Sequence, residues 1–186
     1  MAARRRIWLP FVTFAILFVS GLAPLLLAKN GLQIAPIWPA NGLALVLAIR
    51  ARHGDLPRLP FCLAFVSATF LANLAGGNAL ALSAVFTLGN FAEIVSAYAV
   101  IHWHGWRSPA YAERSAGHAV LTRIVAAAVI GPAVGATVGA AGLTPVLNQG
   151  FLSLWLGWCF SSMVSLLIVA SIGFACPRRF EPGKIN

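Results

Sequence analysis

The sequence predicts an all-α, polytopic integral membrane protein, a bundle of six transmembrane segments with both termini in the cytoplasm and a short or broken second helix. Three observations carry this. Of the 186 residues, 60% are hydrophobic and only 9% are charged, and the mean hydropathy is +0.86. A soluble domain carries about 25% charged residues and needs them to cover its surface. The apolar residues gather into six runs of helical length. Finally, Lys and Arg fall almost entirely in alternate connections between those runs.

The first run is Ile7–Ala28. A hydrocarbon core of ~30 Å takes about 20 residues of helix, and this run supplies them. It is longer than the apolar stretch of a secretory signal, about 7–15 residues. Leu26 also stands where a cut after Ala28 would want a small residue. An uncleaved helix is expected.

The second run, Ile34–Ile49, contains the stretch Ile37-Trp38-Pro39-Ala40-Asn41-Gly42. Proline removes a backbone donor, and Asn-Gly is a turn signal. From Trp38 to Arg50 only ~20 Å of helix can form, too little for the core. Pro39 suits a first helical position, where its missing N–H costs nothing. The helix is therefore expected to begin near Pro39, with Gly31–Pro36 entering as extended or irregular chain. Irregular backbone at depth must be buried in protein or line a wet cavity. That makes Trp38, Pro39 and Asn41 the expected wall of a periplasm-facing site, with a buried packing role for Asn41 as the alternative.

The third run, Leu59–Ala75, is short and carries Thr69 and Asn73 one turn apart. The fourth, Ala79–Ile101, carries Ser83, Thr87, Asn90 and Glu93 at steps of four, three and three. That spacing puts them on one side of a helix, the side expected to face protein. The fifth, Ala119–Leu143, has Gly131, Gly135 and Gly139 in two overlapping GxxxG spacings, which let another backbone approach closely. A partner within the chain is expected, and Pro132 predicts a kink. The sixth, Phe151–Ala175, holds Ser161, Ser162 and Ser165 after Trp155 and Trp158. Hydrogen bonds of such residues between membrane helices average ~0.6 kcal/mol and read here as packing.

Orientation follows from the cations. Arg4, Arg5 and Arg6 precede the first run; Arg50, Arg52 and Arg58 lie between the second and third. Arg107, Arg114 and Arg123 stand between the fourth and fifth or just inside it. Arg178, Arg179 and Lys184 follow the sixth. Of 13 Lys and Arg, only Lys29 falls on the other side. Cytoplasmic loops carry the excess of Lys and Arg, which places both termini in the cytoplasm. The net charge of +9 is thereby explained without nucleic acid as a partner. The partner is the lipid bilayer.

The chemistry-bearing residues are few. No P-loop, GxSxG, HExxH or cysteine cluster occurs. One acid of four, Glu93, lies at membrane depth. No catalytic carboxylate pair is available there, and the chain is not read as an enzyme. His102 and His104 lack a nearby carboxylate or thiol to complete a metal site, so solvated interfacial histidines are expected and neither metal nor cofactor is assigned. Glu93 sits ~12 Å in from the cytoplasmic end of its run. An ionised carboxylate there needs a partner or water. Either Arg123 reaches it as an ion pair that fixes packing, or Glu93 is a ligand- or proton-responsive group.

Several of these stretches together resemble the first type of membrane-associated sensor (MASE) domain of bacterial signalling proteins. The family's Trp-Pro-x-x-Gly-Leu-Ala stretch is matched by Trp38, Pro39, Gly42, Leu43 and Ala44. Its Ala-Asn-Leu is matched by Ala72, Asn73 and Leu74, and its Gly-Asn-x-x-Glu by Gly89, Asn90 and Glu93. The glycine-rich fifth run is similar to the family's fifth helix. The resemblance covers roughly Ile34 to Ala175. In the last shared stretch, aligned from Trp158, the family's acid is Ser162, its glycine Ser165 and its proline Ser171. The family commonly has further helices beyond this point.

What the resemblance implies is a non-catalytic sensory domain of the bacterial inner membrane, with residues 1–186 as one domain and 176–186 as a cytoplasmic tail. It implies a small-molecule ligand, with Trp38, Pro39, Asn41, Asn73, Asn90 and Glu93 as the residues to contact it. Family members sit ahead of a diguanylate cyclase, phosphodiesterase or histidine kinase. Residues 176–186 leave no room for such an output domain, so the chain is expected to stand alone or to be left by truncation, with the output supplied by a separate partner. The alternative reading is the membrane substrate-binding subunit of a vitamin or metal transporter.

Overall fold

Six helices follow one another among the described residues. In the computed structural model they are α1 Ala2–Leu27, α2 Pro39–Ala51, α3 Arg58–Ala75, α4 Leu80–His102, α5 Ala116–Leu147 and α6 Phe151–Ala175. The structure describes residues 2–27, 37–51, 58–103 and 116–175, and among them there is no strand. Among the described residues four stretches are long and apolar enough to cross a membrane: Trp8–Leu27, Leu80–His102, Leu121–Leu147 and Phe151–Gly173. The apolar parts of α2 and α3, Pro39–Ile49 and Leu59–Ala75, are shorter.

The bundle has an apolar surface over a mainly apolar core that also encloses polar side chains. Val19, Leu88, Phe160 and Ile172 are exposed, whereas Thr13, Asn41, Asn90, Glu93, Ser162 and Ser165 are buried. In water that distribution would be costly. In lipid, apolar side chains face the solvent and polar ones must find partners inside.

Helix ends are set by local chemistry. After α3, Gly76 N–H donates to Ala72 O at 2.9 Å and Gly77 N–H to Leu74 O at 3.0 Å. Gly77 takes φ +96°, a left-handed value that glycine adopts without Cβ strain. Asn78 closes the turn, its Nδ2 donating to Asn73 Oδ1 at 3.0 Å. At the end of α5, Asn148 takes φ +52°, where asparagine is the usual substitute for glycine. Helix α2 opens at Pro39, five residues later than the second apolar run. The expectation of irregular chain over Gly31–Pro36 lies outside the described residues. Helix α5 is longer at both ends than its run and is continuous through Pro132.

Helix α4 packs most extensively on α5, α5 on α6, α1 on α3, and α6 on α2. The α4–α5 pair is antiparallel. A Cβ on Gly131 would meet Ala97 and Glu93, one on Gly135 would meet Glu93 and Gly89, and one on Gly142 would meet Val85. Gly131, Gly135 and Gly142 therefore form the face on which α4 lies. Short α2 touches α1, α3, α4 and α6, so its N-terminal end opens inside the protein.

Candidate functional site

At that inner end, side chains from α2, α4 and α6 converge on Glu93. The carboxylate is wholly buried. Helix α5 makes room for it by presenting no side chain. A Cβ on Gly135 would stand 2.6 Å from Glu93 Cβ and 3.1 Å from its Oε2. From α6, Trp158 Nε1 donates to Glu93 Oε2 at 3.2 Å. Ser162 of α6 and Asn41 of α2 make further polar contacts with the carboxylate, while Oε1 makes no well-formed hydrogen bond.

Asn41 ties α2 to α4, its Nδ2 donating to Asn90 Oδ1 at 2.8 Å. Its own Oδ1 is buried without a donor. The backbone N–H of Trp38, just ahead of α2, donates to Ser165 Oγ of α6 at 2.9 Å. The Trp38 ring lies against α1 and α3, where a Cβ on Gly21 would stand 3.5 Å from it and 3.3 Å from Ala72 Cβ. Its Nε1 is also buried without a partner. An orphaned polar group buried away from water costs about 1–3 kcal/mol, and Trp38 Nε1, Asn41 Oδ1 and Glu93 Oε1 each carry that cost.

The sequence candidates divide clearly. Asn41, Asn90 and Glu93 meet; Pro39 opens the helix that carries Asn41; Trp38 is held one turn away from it. Asn73 is elsewhere. Its Nδ2 donates to Thr69 O at 2.9 Å and its Oδ1 receives Asn78, so it closes the α3–α4 turn. Thr69 and Thr87 likewise bond back to Phe65 O and Ser83 O on their own helices, as hydroxyls in membrane helices do. Gly131 and Gly135 lie under Glu93, and Gly139 under the Trp158 indole.

Arg123 and Glu93 are not brought together. Arg123 precedes Gly131 by eight residues on α5, ~12 Å along the axis, and Glu93 stands opposite Gly131 and Gly135. The partners of Glu93 are an indole, an amide and a hydroxyl, none of them cationic. Among the described residues no three His, Cys, Asp or Glu side chains converge as metal ligands would. His104 lies outside the described residues. His102 turns its Nδ1 to Tyr98 O at 2.9 Å and stacks on the Tyr98 ring.

Trp158, Ser162 and Ser165 are the members that sequence reasoning did not place in a site. The signal was available in outline. The three recur at steps of four and three, which is one face of α6. Two of them, Ser162 and Ser165, are positions where the chain departs from the sensor family. Comparison with protein-family models, with curated proteins and with solved structures finds no match to this chain.

Proposed function

We propose that this chain is a signal-input domain of a bacterial inner membrane, with the Glu93 cluster as its sensing site. The observation that carries the reading is the placement of a wholly buried carboxylate where α2, α4 and α6 meet, partnered only by neutral groups. Ionisable residues in membrane segments are costly and by default functional. The motif resemblance around Trp38, Asn90 and Glu93 supports the same reading. In this account the chain crosses the membrane six times with both termini in the cytoplasm. Helix α2 forms the inner part of its crossing.

A signal is transmitted only if the ligand binds two helix arrangements unequally. Helix α2 suits such a role, because it is short and reaches α4 through Asn41 and α6 through the Trp38 N–H. A ligand that altered either bond would shift α6, whose C-terminal end leads to the tail. The output belongs to a partner that carries cyclase, phosphodiesterase or kinase activity.

The test is purification of the full chain from its native membrane under mild detergent. Copurifying activity of one of those three output classes is expected. A retained vitamin or metal, or uptake stimulated by a bound ATPase, would replace the reading with that of a transporter's substrate-binding subunit.

A further inference from the structure

We propose that the Glu93 cluster is a proton-binding site, in which Glu93 Oε1 takes up a proton and donates it as a hydrogen bond to Asn41 Oδ1. The inference names the ligand of the site proposed above, and only its signalling consequence rests on that reading.

The argument is a count of donors and acceptors. Trp158 Nε1 is committed to Glu93 Oε2. Asn41 Nδ2 is committed to Asn90 Oδ1. Two acceptors remain, Glu93 Oε1 and Asn41 Oδ1, both buried and both without a donor. The Asn41 side chain reaches the carboxylate and can serve as a donor to its ionised form. One proton satisfies both: it forms the Oε1–H bond, converts the carboxylate to a neutral acid, and comes from water.

The ionised state has a different arrangement available. Rotating the Asn41 amide exchanges its N and O. Nδ2 then donates to the carboxylate, and Asn41 Oδ1 turns to Asn90. The Asn90 amide must rotate in answer and donate its own Nδ2. Protonation therefore reverses the direction of a hydrogen-bond chain running from Glu93 through Asn41 to Asn90, and the chain joins α4 to α2.

The surroundings leave few rivals for the proton. Helix α2 presents no ionisable group between Trp38 and Ile49. From α6, Cys159 is the one titratable group between Phe151 and Ala175. On α4 itself, Tyr98 and His102 lie one to three turns further along, and on α5 Arg123 is at the far distance already given. From α3, Cys62 is the one titratable group between Leu59 and Ala75, and α1 has none between Trp8 and Leu27. A sodium ion is the competing small cation, and it would need several oxygens where the site offers two open acceptors and the Ser162 hydroxyl.

The test is infrared difference spectroscopy on the full chain in lipid nanodiscs, between acid and neutral pH, in potassium and in sodium salts. Asp55, Glu113 and Glu181 are the other acids, and they remain in E93Q as an internal reference. The expected result is a protonated-carboxyl C=O band that titrates in wild type, shifts in D2O, is lost in E93Q, and is the same in both salts. E93D, which keeps the acid, should retain a band at a shifted frequency even if E93Q folds poorly. Identical difference spectra for wild type and E93Q would overturn the proposal. So would a band that persists unchanged across the pH range, or one displaced by sodium at fixed pH. A titrating Glu93 with an output indifferent to pH keeps the proton site and removes the sensing reading. No titration, with an output that E93Q still alters, removes the proton and keeps the sensor.

Discussion

Trp158 donates its indole N–H to Glu93 Oε2 at 3.2 Å, and the same indole fills the hollows left by Gly89 and Gly139. One side chain thus closes the α4–α5–α6 interface and supplies the carboxylate with a donor. A stacked contact with Phe86, at 5.6 Å between centroids, fixes its plane.

Replacing Trp158 by Phe keeps most of that volume and removes the donor. The expected cost is that of an orphaned buried acceptor plus a small cavity, ~1–3 kcal/mol. Thermal unfolding of purified protein should show the loss. Trp155 is the control: its Nε1 reaches Thr137 Oγ1 at 3.0 Å in an exposed bond. Trp155→Phe should change stability little, and equal losses for the two would mean that the Glu93 bond contributes nothing special.

The glycine face of α5 makes a separate prediction. Alanine at Gly135 would place a Cβ 2.6 Å from Glu93 Cβ and 2.8 Å from Gly89 O, and backbone does not yield easily. Overpacking of this kind costs ~1–3 kcal/mol. Gly150→Ala, which meets nothing within 4 Å, should be neutral. A melting series over the two variants checks the contrast.

Ser162→Asp would set a second carboxylate against Glu93. Like charges at such a site cannot both ionise cheaply, so one must hold a proton. The added acid binds its proton more readily in the folded protein than in the unfolded chain. The variant's stability relative to wild type should therefore fall as pH rises and recover on acidification. Unfolding midpoints of S162D and S162N across pH measure this; a parallel response of the two would show that no charge interaction is present.

Topology can be checked by reporters fused at either terminus. Fluorescence without periplasmic phosphatase activity is expected at both ends, because twelve of 13 Lys and Arg fall near the two ends or in alternate connections between the apolar runs, as cytoplasmic segments do. A phosphatase-active fusion at one end would require an odd number of crossings.

The helices were legible because their causes are local. Apolar run length set α1, α4, α5 and α6, and α6 has the bounds read from its run, Phe151–Ala175. Pro39 located the start of α2, since proline at a first helical position is a one-residue effect. The polar stripe on α4 was visible too, although Thr87 spends its hydroxyl on its own helix and only Asn90 and Glu93 reach another one. What the sequence did not display was register between helices. Arg123 reads as an available partner of Glu93 because it stands near the start of the fifth run, where a long side chain could reach inward. The glycines of α5 slide α4 to a level where Arg123 is about two turns away, and Trp158 and Ser162 arrive from a helix sixty-odd residues downstream. No local signal encodes that meeting. It follows from three helices packing at once around residues without side chains.

The central claim is that the Glu93 cluster receives a signal and is not mere packing. The direct measurement is the activity of the copurified output partner, with E93Q in place of wild type at equal expression and verified folding. Glutamine keeps the shape and can donate to Asn41 Oδ1, so it holds the site in one state. The account predicts an output fixed at one level and indifferent to a pH step that moves the wild-type complex. An E93Q complex that responds as wild type does would contradict it.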